Sequence, residues 1–317
     1  MSMDTQKKVS VVVPVFRNQG ALLPTYQKVT GVFAEKLSAY KYEFVFVNDG
    51  SDDNSMQELL EIRKADKRVS VISLSRNFGQ VAALVAGLKA ATGDMAITIS
   101  ADLQDPPELI YDMVASCERG NQIVIGYRVS RDDSFISNAT SGLFYSLMHW
   151  ANPRIPKGGF DYVLIARKPL DVFNQIDERN RFYQGDIVWL GFPVQYLPYT
   201  RLKREIGRSQ WGVKKKLKYF LDGLLNTSYA PIRVMTLFGS IVALVGFLYA
   251  LVIVYLWFVD DVPFEGYPVI VTLILLIGGT IMLMLGIIGE YLWRIYDETR
   301  KRPLYIIEEN HPAESDN

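Results

Sequence analysis

Between residue 9 and about residue 127, short, mainly apolar runs alternate with helix-length segments. The runs cover residues 9–15, 44–47, 69–74, 95–99 and 123–125. Strands that are mainly apolar, without a regular apolar/polar alternation, have both faces covered, and with helices between them they predict a parallel sheet packed on both sides. Acidic side chains at Asp52 and Asp53, just ahead of a helical stretch at 56–64, suit the exposed amides and positive dipole end of a first turn. The first half therefore reads as an α/β nucleotide-type domain, and such sheets bind ligands at the carboxyl ends of their strands.

The pattern changes in the last third. Residues 234–259 and 266–289 are two apolar runs without a charge, each longer than the roughly 20 residues needed to cross the hydrocarbon core. They predict two transmembrane helices. The connection between them carries Asp260, Asp261 and Glu265 and no base, whereas the outer flanks carry Arg233, Arg294, Arg300, Lys301 and Arg302. The positive-inside rule then puts both chain ends and the α/β domain in the cytoplasm, as a multi-pass protein of the inner (cytoplasmic) membrane. Ahead of the first run, residues 211–229 mix Lys214, Lys215, Lys216 and Lys218 with Trp211, Leu217, Phe220 and Leu221, which reads as an amphipathic interfacial helix. The expected organisation is a catalytic domain at 1–210, an interfacial segment at 211–231, a two-helix hairpin at 232–295 and a cytoplasmic tail at 296–317.

Composition sharpens this in two places. Lys plus Arg and Asp plus Glu both number 34, so the chain has no net charge to offer a nucleic acid, and its basic stretches at 201–218 and 294–302 suit a lipid surface better. Cys117 is the single cysteine, which rules out an intrachain disulfide and a cysteine-rich metal site.

Candidate chemistry sits where the strands are expected to end. Four clusters occur there: Pro14-Val-Phe16-Arg-Asn18, Asn48-Asp49-Gly50-Ser51, Ser75-Arg-Asn77-Phe-Gly-Gln80, and Ser100-Ala101-Asp102-Leu-Gln104-Asp105. Each alone reads as a turn, because Asn, Asp, Gly, Pro and Ser are turn residues. Four on one edge of one sheet read as a site.

In this order the clusters resemble the family-2 glycosyltransferases of the GT-A (Rossmann-like) fold. The two trailing apolar runs, with Gly286-Ile-Ile-Gly-Glu290-Tyr-Leu-Trp-Arg294 and Arg302-Pro-Leu-Tyr305, resemble the polyprenyl-phosphate branch. The resemblance implies inverting transfer of a sugar from a nucleotide sugar, with UDP as the nucleotide, to a polyprenyl phosphate, taken as undecaprenyl phosphate. It implies donor contacts from Pro14, Phe16, Asn18, Asp49, Asn77, Gln80, Ala101 and Asp102, with Asp49 accepting from the uridine imide. A divalent cation, Mg2+ or Mn2+, would bind Asp102 and Gln104 and neutralise the leaving diphosphate. Arg128, Arg131, Arg204 and Ser209 would hold the lipid phosphate, and Asp161 would act as catalytic base alongside Asp102.

Several positions depart from the family pattern. Ser100 stands where an acidic ligand is usual, Asn18 near a usual Glu, Gln210 for a Lys, Phe160 for a Gly and Val163 for an Arg. A nucleotide-binding scaffold without activity and a processive polysaccharide synthase are the rival readings, the second weakened by the lack of a Gln-x-x-Arg-Trp motif. The identity of the sugar and homo-oligomerisation are left open.

Overall fold

The computed structural model describes residues 6–130, 153–156, 159–202, 230–259 and 266–314. The expectations placed on Arg131, Arg204, Ser209, Gln210 and residues 211–229 of the interfacial segment lie outside these residues.

The described residues fall into two compact units, one drawn from Met1–Asn226 with Pro303–Asn317, the other from Thr227–Arg302. In the first, an alternating series runs β1 (Lys8–Val15), α1 (Leu22–Lys36), β2 (Lys41–Asn48), α2 (Ser55–Ala65), β3 (Val69–Leu74), α3 (Gln80–Ala90), β4 (Met95–Thr98), α4 (Leu109–Glu118) and β5 (Ile123–Ser130). There follow β6 (Tyr162–Ala166), α5 (Arg167–Phe173), α6 (Tyr183–Trp189), β7 (Val194–Thr200) and, from the far end of the chain, β8 (Ile307–His311). All eight strands form one sheet in the order β7-β5-β6-β4-β1-β2-β3-β8.

The continuous apolar runs have the expected physical reason. Val11 and Val13 of β1 pack with Phe44, Phe46, Ile97 and helix residues Phe33 and Leu59 on one face, while Val12 packs with Val45, Leu84, Leu88 and Phe173 on the other. Neighbouring β1 side chains thus enter opposite apolar layers, as the strand's period of two demands.

The sheet is mixed, which corrects the all-parallel expectation. β1 to β4 pair in parallel, but β6 runs antiparallel to both β4 and β5, and β8 antiparallel to β3. β6 gave no separate signal because its apolar residues lead straight into α5. β5 is longer than the expected 123–125 and carries Arg128 within the strand, paired across to Tyr199 of β7. The strand order reverses direction at β1, with β2 and β3 on one side and β4 on the other, so the ends of β1 and β4 form the switch point where such sheets take ligands.

In the second unit lie α7 (Ala230–Val259) and α8 (Tyr267–Thr299). α8 runs ten residues beyond the expected end at Gly289, from 289 to 299. Among the described residues, one segment, Leu276–Thr299, is long and apolar enough to cross a membrane, and α7 contains a shorter apolar stretch, Met235–Tyr249.

β8 is the unexpected element. The stretch read as a plain tail returns to the sheet, where Ser75 N–H donates to Ile306 O at 3.0 Å and Arg63 reaches the carbonyls of His311 and Pro312. Its sequence, IEENH, lacks the apolar pattern of a strand because it is an edge with both faces largely exposed.

Candidate active site

The loops after β1, β2 and β3 are bound to one another. Asp49 N–H donates to Val15 O at 2.8 Å, Arg17 N–H to Ser51 Oγ at 3.1 Å and Asn18 N–H to Ser55 Oγ at 3.0 Å. Asn18 itself closes its own turn, its Oδ1 accepting from Phe16 N–H at 2.9 Å, a use open to a neutral amide. Pro14, next to last in β1, lies beside Val47 of β2.

Asp49 is buried, at 2% exposure, and its two carboxylate oxygens accept from Phe78 N–H at 2.7 Å and Gly79 N–H at 2.9 Å. Asn77 Nδ2 donates to Asp49 O at 3.3 Å. The residue expected to meet uridine thus also ties down the loop that leads into α3 at Gln80. Gly50 is required here: its φ is +63°, and a Cβ would lie 2.4 Å from the backbone carbon of Arg76.

The fourth loop is anchored at both ends. Ala101 is buried, and its carbonyl accepts from Thr25 Oγ1 at 3.0 Å. Leu103 adopts a left-handed φ of 57°, a conformation that costs a non-glycine residue energy and persists where its surroundings hold it. Asp102 Oδ1 accepts from Gln104 N–H at 3.2 Å. Gln104 Oε1, an expected cation ligand, accepts from Arg201 Nη2 at 2.7 Å. Ser100 Oγ is buried without a hydrogen-bond partner. No group of three or more His, Cys, Asp or Glu that could hold a metal is found among the described residues.

Two of the residues expected on the acceptor side, Arg128 and Asp161, come together beside this loop. Arg128, its side chain 8% exposed, pairs with Asp161 through Nη2 and Oδ2 at 3.1 Å. Its Nε donates to Tyr199 Oη at 3.2 Å, and Tyr199 Oη donates to Asp105 Oδ1 at 2.6 Å. Asp105 Oδ2 accepts from Ser100 N–H at 3.2 Å. Burial works against the Arg128 charge, but the fields of Asp161, Tyr199 and Asp105 more than offset it, so the guanidinium pKa rises. Arg201 moves the other way, lowered first by burial and then by the positive charge of Arg128. Thr98 Oγ1 donates to Asp161 O at 2.7 Å and Gln184 Nε2 to Phe160 O at 2.6 Å, which fixes the backbone that presents Asp161.

Sequence reasoning passed over Asp105, Tyr199, Arg201, Thr98 and Gln184. Asp105 stood inside a quoted cluster and needed only its burial, at 1% exposure, to be singled out. Tyr199 lies in, and Arg201 just after, a half-exposed strand with no clear periodicity, so no pattern marked them.

A doubly covered α/β sheet with loops, carboxylates and arginines gathered at its switch point is an architecture that binds nucleotides. Residues 10–172 match the family model described as Glycosyl transferase family 2, and the chain belongs to that family. It is a glycosyltransferase.

The chain is similar over nearly its whole length to curated relatives. It is 36% identical over 315 residues to the uncharacterized glycosyltransferase YkcC of Bacillus subtilis (strain 168), covering 99% of this chain and 97% of that protein. It is 36% identical over 306 residues to the SfII prophage-derived bactoprenol glucosyl transferase of Shigella flexneri, covering 96% and 98%. The prophage bactoprenol glucosyl transferase homolog of Escherichia coli (strain K12) shares 36% over 302 residues, covering 95% and 98%. Among solved structures, glucosyl-3-phosphoglycerate synthase from Mycobacterium tuberculosis in complex with Mn2+ and UDP-glucose has a TM-score of 0.47 at 14% identity, covering 68% of this chain and 76% of that one. So distant a likeness carries no residue roles.

Proposed function

We propose that this glycosyltransferase moves a sugar from a nucleotide sugar, with UDP as carrier, onto the phosphate of a polyprenyl lipid such as undecaprenyl phosphate at the cytoplasmic face of a membrane. The observation that carries the reading is the Arg128–Asp161 pair beside the loop of Asp102. An arginine's planar fork suits phosphate oxygens, and an adjacent carboxylate can orient an incoming phosphate or take its proton. A phosphate monoester is largely ionised at neutral pH, its second pKa being about 6, so orientation is the larger part of the Asp161 role. Relatives named bactoprenol glucosyl transferases, matched nearly end to end, support a lipid phosphate acceptor.

On the donor side, Pro14, Phe16, Asn18, Asp49, Asn77, Gln80 and Ala101 would frame the nucleoside and its diphosphate. The donor set suits a hard divalent cation, Mg2+ or Mn2+, held through one protein carboxylate and completed by phosphate oxygens and water, the mode in which Mg2+ commonly binds. Asp102 is that carboxylate, the unpartnered Ser100 Oγ is a neutral oxygen next to it, and Gln104 joins once Arg201 turns away. When bound, the cation would neutralise charge developing on the leaving diphosphate. Arg131, Arg204 and Ser209 would add to the acceptor site.

Connectivity supports a two-span anchor. β8 follows α8 in the chain yet pairs with β3, which precedes α7, so the chain on both sides of the helices belongs to one folded sheet. The number of membrane crossings between them is then even. If Leu276–Thr299 crosses, α7 supplies the return, and the basic flanks assign both ends to the cytoplasm. The segment at 211–231 would lie in the interface. Incubation of the purified protein with polyprenyl phosphate and a panel of nucleotide sugars tests the reading. A new sugar phospholipid by mass spectrometry is expected, and its absence with every donor would refute it.

A further inference from the structure

We propose that Tyr199 is a positioning residue whose single hydroxyl couples the loop of Asp102 to the arginine that receives the acceptor phosphate. The inference deepens the proposed function and rests on Arg128 holding that phosphate.

The hydroxyl donates to Asp105 Oδ1 at 2.6 Å and accepts from Arg128 Nε at 3.2 Å. Asp105, through its second oxygen, takes the backbone N–H of Ser100 at 3.2 Å. One chain of bonds therefore runs from the start of the cation loop to the acceptor guanidinium. Its members are buried, with Asp105 at 1% and Tyr199 at 6% exposure, so water competes little for these bonds. Burial and the neighbouring Asp105 keep the phenol protonated, and a phenol offers one donor and two acceptor positions, so the hydroxyl can serve both partners at once.

Packing alone does not call for a tyrosine. The ring meets Tyr162 edge-on at a centroid distance of 5.9 Å, a contact phenylalanine would keep. The hydroxyl's distinctive work is to fix one edge of Arg128 while Nη2 meets Asp161. Arg201 Nη2 donates to Gln104 Oε1 at 2.7 Å and Leu202 N–H to Gln104 O at 2.9 Å, so the chain just after β7 holds the loop at two further points. Ordering the loop by donor and cation then orders Arg128 for the acceptor, and such coupling between two ligands is reciprocal.

The test uses the full-length protein in lipid nanodiscs and the variant Tyr199→Phe. The expected result is an acceptor KM about tenfold higher with kcat within about threefold, the scale of one lost hydrogen bond to a charged group. UDP affinity at saturating Mn2+ should stay at the wild-type value, while the Mn2+ concentration giving half-maximal UDP binding rises about threefold. Wild-type values for both the acceptor KM and the Mn2+ half-saturation would overturn the proposal, as would a loss of UDP affinity at saturating Mn2+ in a variant that melts like wild type. Should Tyr199→Phe fail to fold, Asp105→Asn, which leaves an acceptor for the hydroxyl, carries the same two shifts at smaller amplitude, and their absence there would overturn it. A wild-type protein that binds UDP yet transfers nothing to polyprenyl phosphate would refute the proposed function, and the Mn2+ arm would still decide the coupling.

Discussion

The most local consequence of the site geometry concerns Asp49. Its carboxylate accepts two backbone N–H groups, from Phe78 at 2.7 Å and Gly79 at 2.9 Å, at 2% exposure. Hydrogen bonds to a charged group contribute about 1.5–3 kcal/mol each, and neutral ones about 1 kcal/mol. Asp49→Asn keeps one oxygen, turns an NH2 toward the other amide and removes the charge, so one bond is lost and the second weakened. The net cost to closing the loop is about 2 kcal/mol or more, and 1.36 kcal/mol corresponds to a factor of ten. The amides of Phe78 and Gly79 should then exchange hydrogen roughly 30-fold faster, because local exchange follows the free energy of local opening. Hydrogen exchange read by mass spectrometry on the peptide spanning 75–80, with UDP binding measured alongside, provides the assay. A variant that loses UDP binding while exchange at 78–79 stays at the wild-type rate would refute the argument, since the carboxylate would then serve the nucleoside alone.

Three further outcomes follow from the same geometry. Gly50→Ala places a Cβ 2.4 Å from the Arg76 backbone at a φ of +63° and should lower the melting temperature sharply and abolish UDP binding; near-wild-type values of both would contradict the close approach. Asp102→Ala should abolish transfer, whereas Ser100→Asp, adding a hard oxygen ligand, should make activity depend more steeply on Mn2+ in a titration; full activity of Asp102→Ala in chelator would remove the cation from the account. Glu43, buried among Lys8, Ser10 and Thr92, has a pKa opposed by burial but lowered overall by bonds from these three residues. A depressed carboxylate pKa stabilises the fold above the unfolded value near 4.5 and loses that contribution as pH falls below it. Glu43→Gln should therefore cost about 1–2 kcal/mol at pH 7 and almost nothing at low pH, seen in denaturant melts; an equal loss at both pH values would be evidence against a charged Glu43.

Sequence and structure part company for physical reasons that particular residues make plain. β1 to β4 were legible because their two-faced burial leaves a mainly apolar run without regular alternation, and the loops after them were legible because turn residues recur on one edge. β8 was not, since an exposed edge strand needs no apolar pattern and its pairing with β3 spans more than 200 residues, from Val71 to His311. Arg128 was singled out by resemblance, but its lodging in β5, with Tyr199 across the register, depends on the pairing of β5 with β7, which no local signal announces. The same holds for Asp105, whose short polar side chain reads as a turn until the fold buries it against Tyr199.

The claim that the acceptor is a lipid phosphate is tested most directly by comparing headgroups on one prenyl chain. The full-length protein in nanodiscs would be given a radiolabelled nucleotide sugar that supports transfer, with polyprenyl phosphate or the matching free polyprenol. The account predicts label in lipid with the phosphate, released by mild acid as expected of a sugar linked through phosphate, and none with the polyprenol. Equal transfer to the free alcohol, or transfer to the phosphate undiminished in Arg128→Ala, would contradict it.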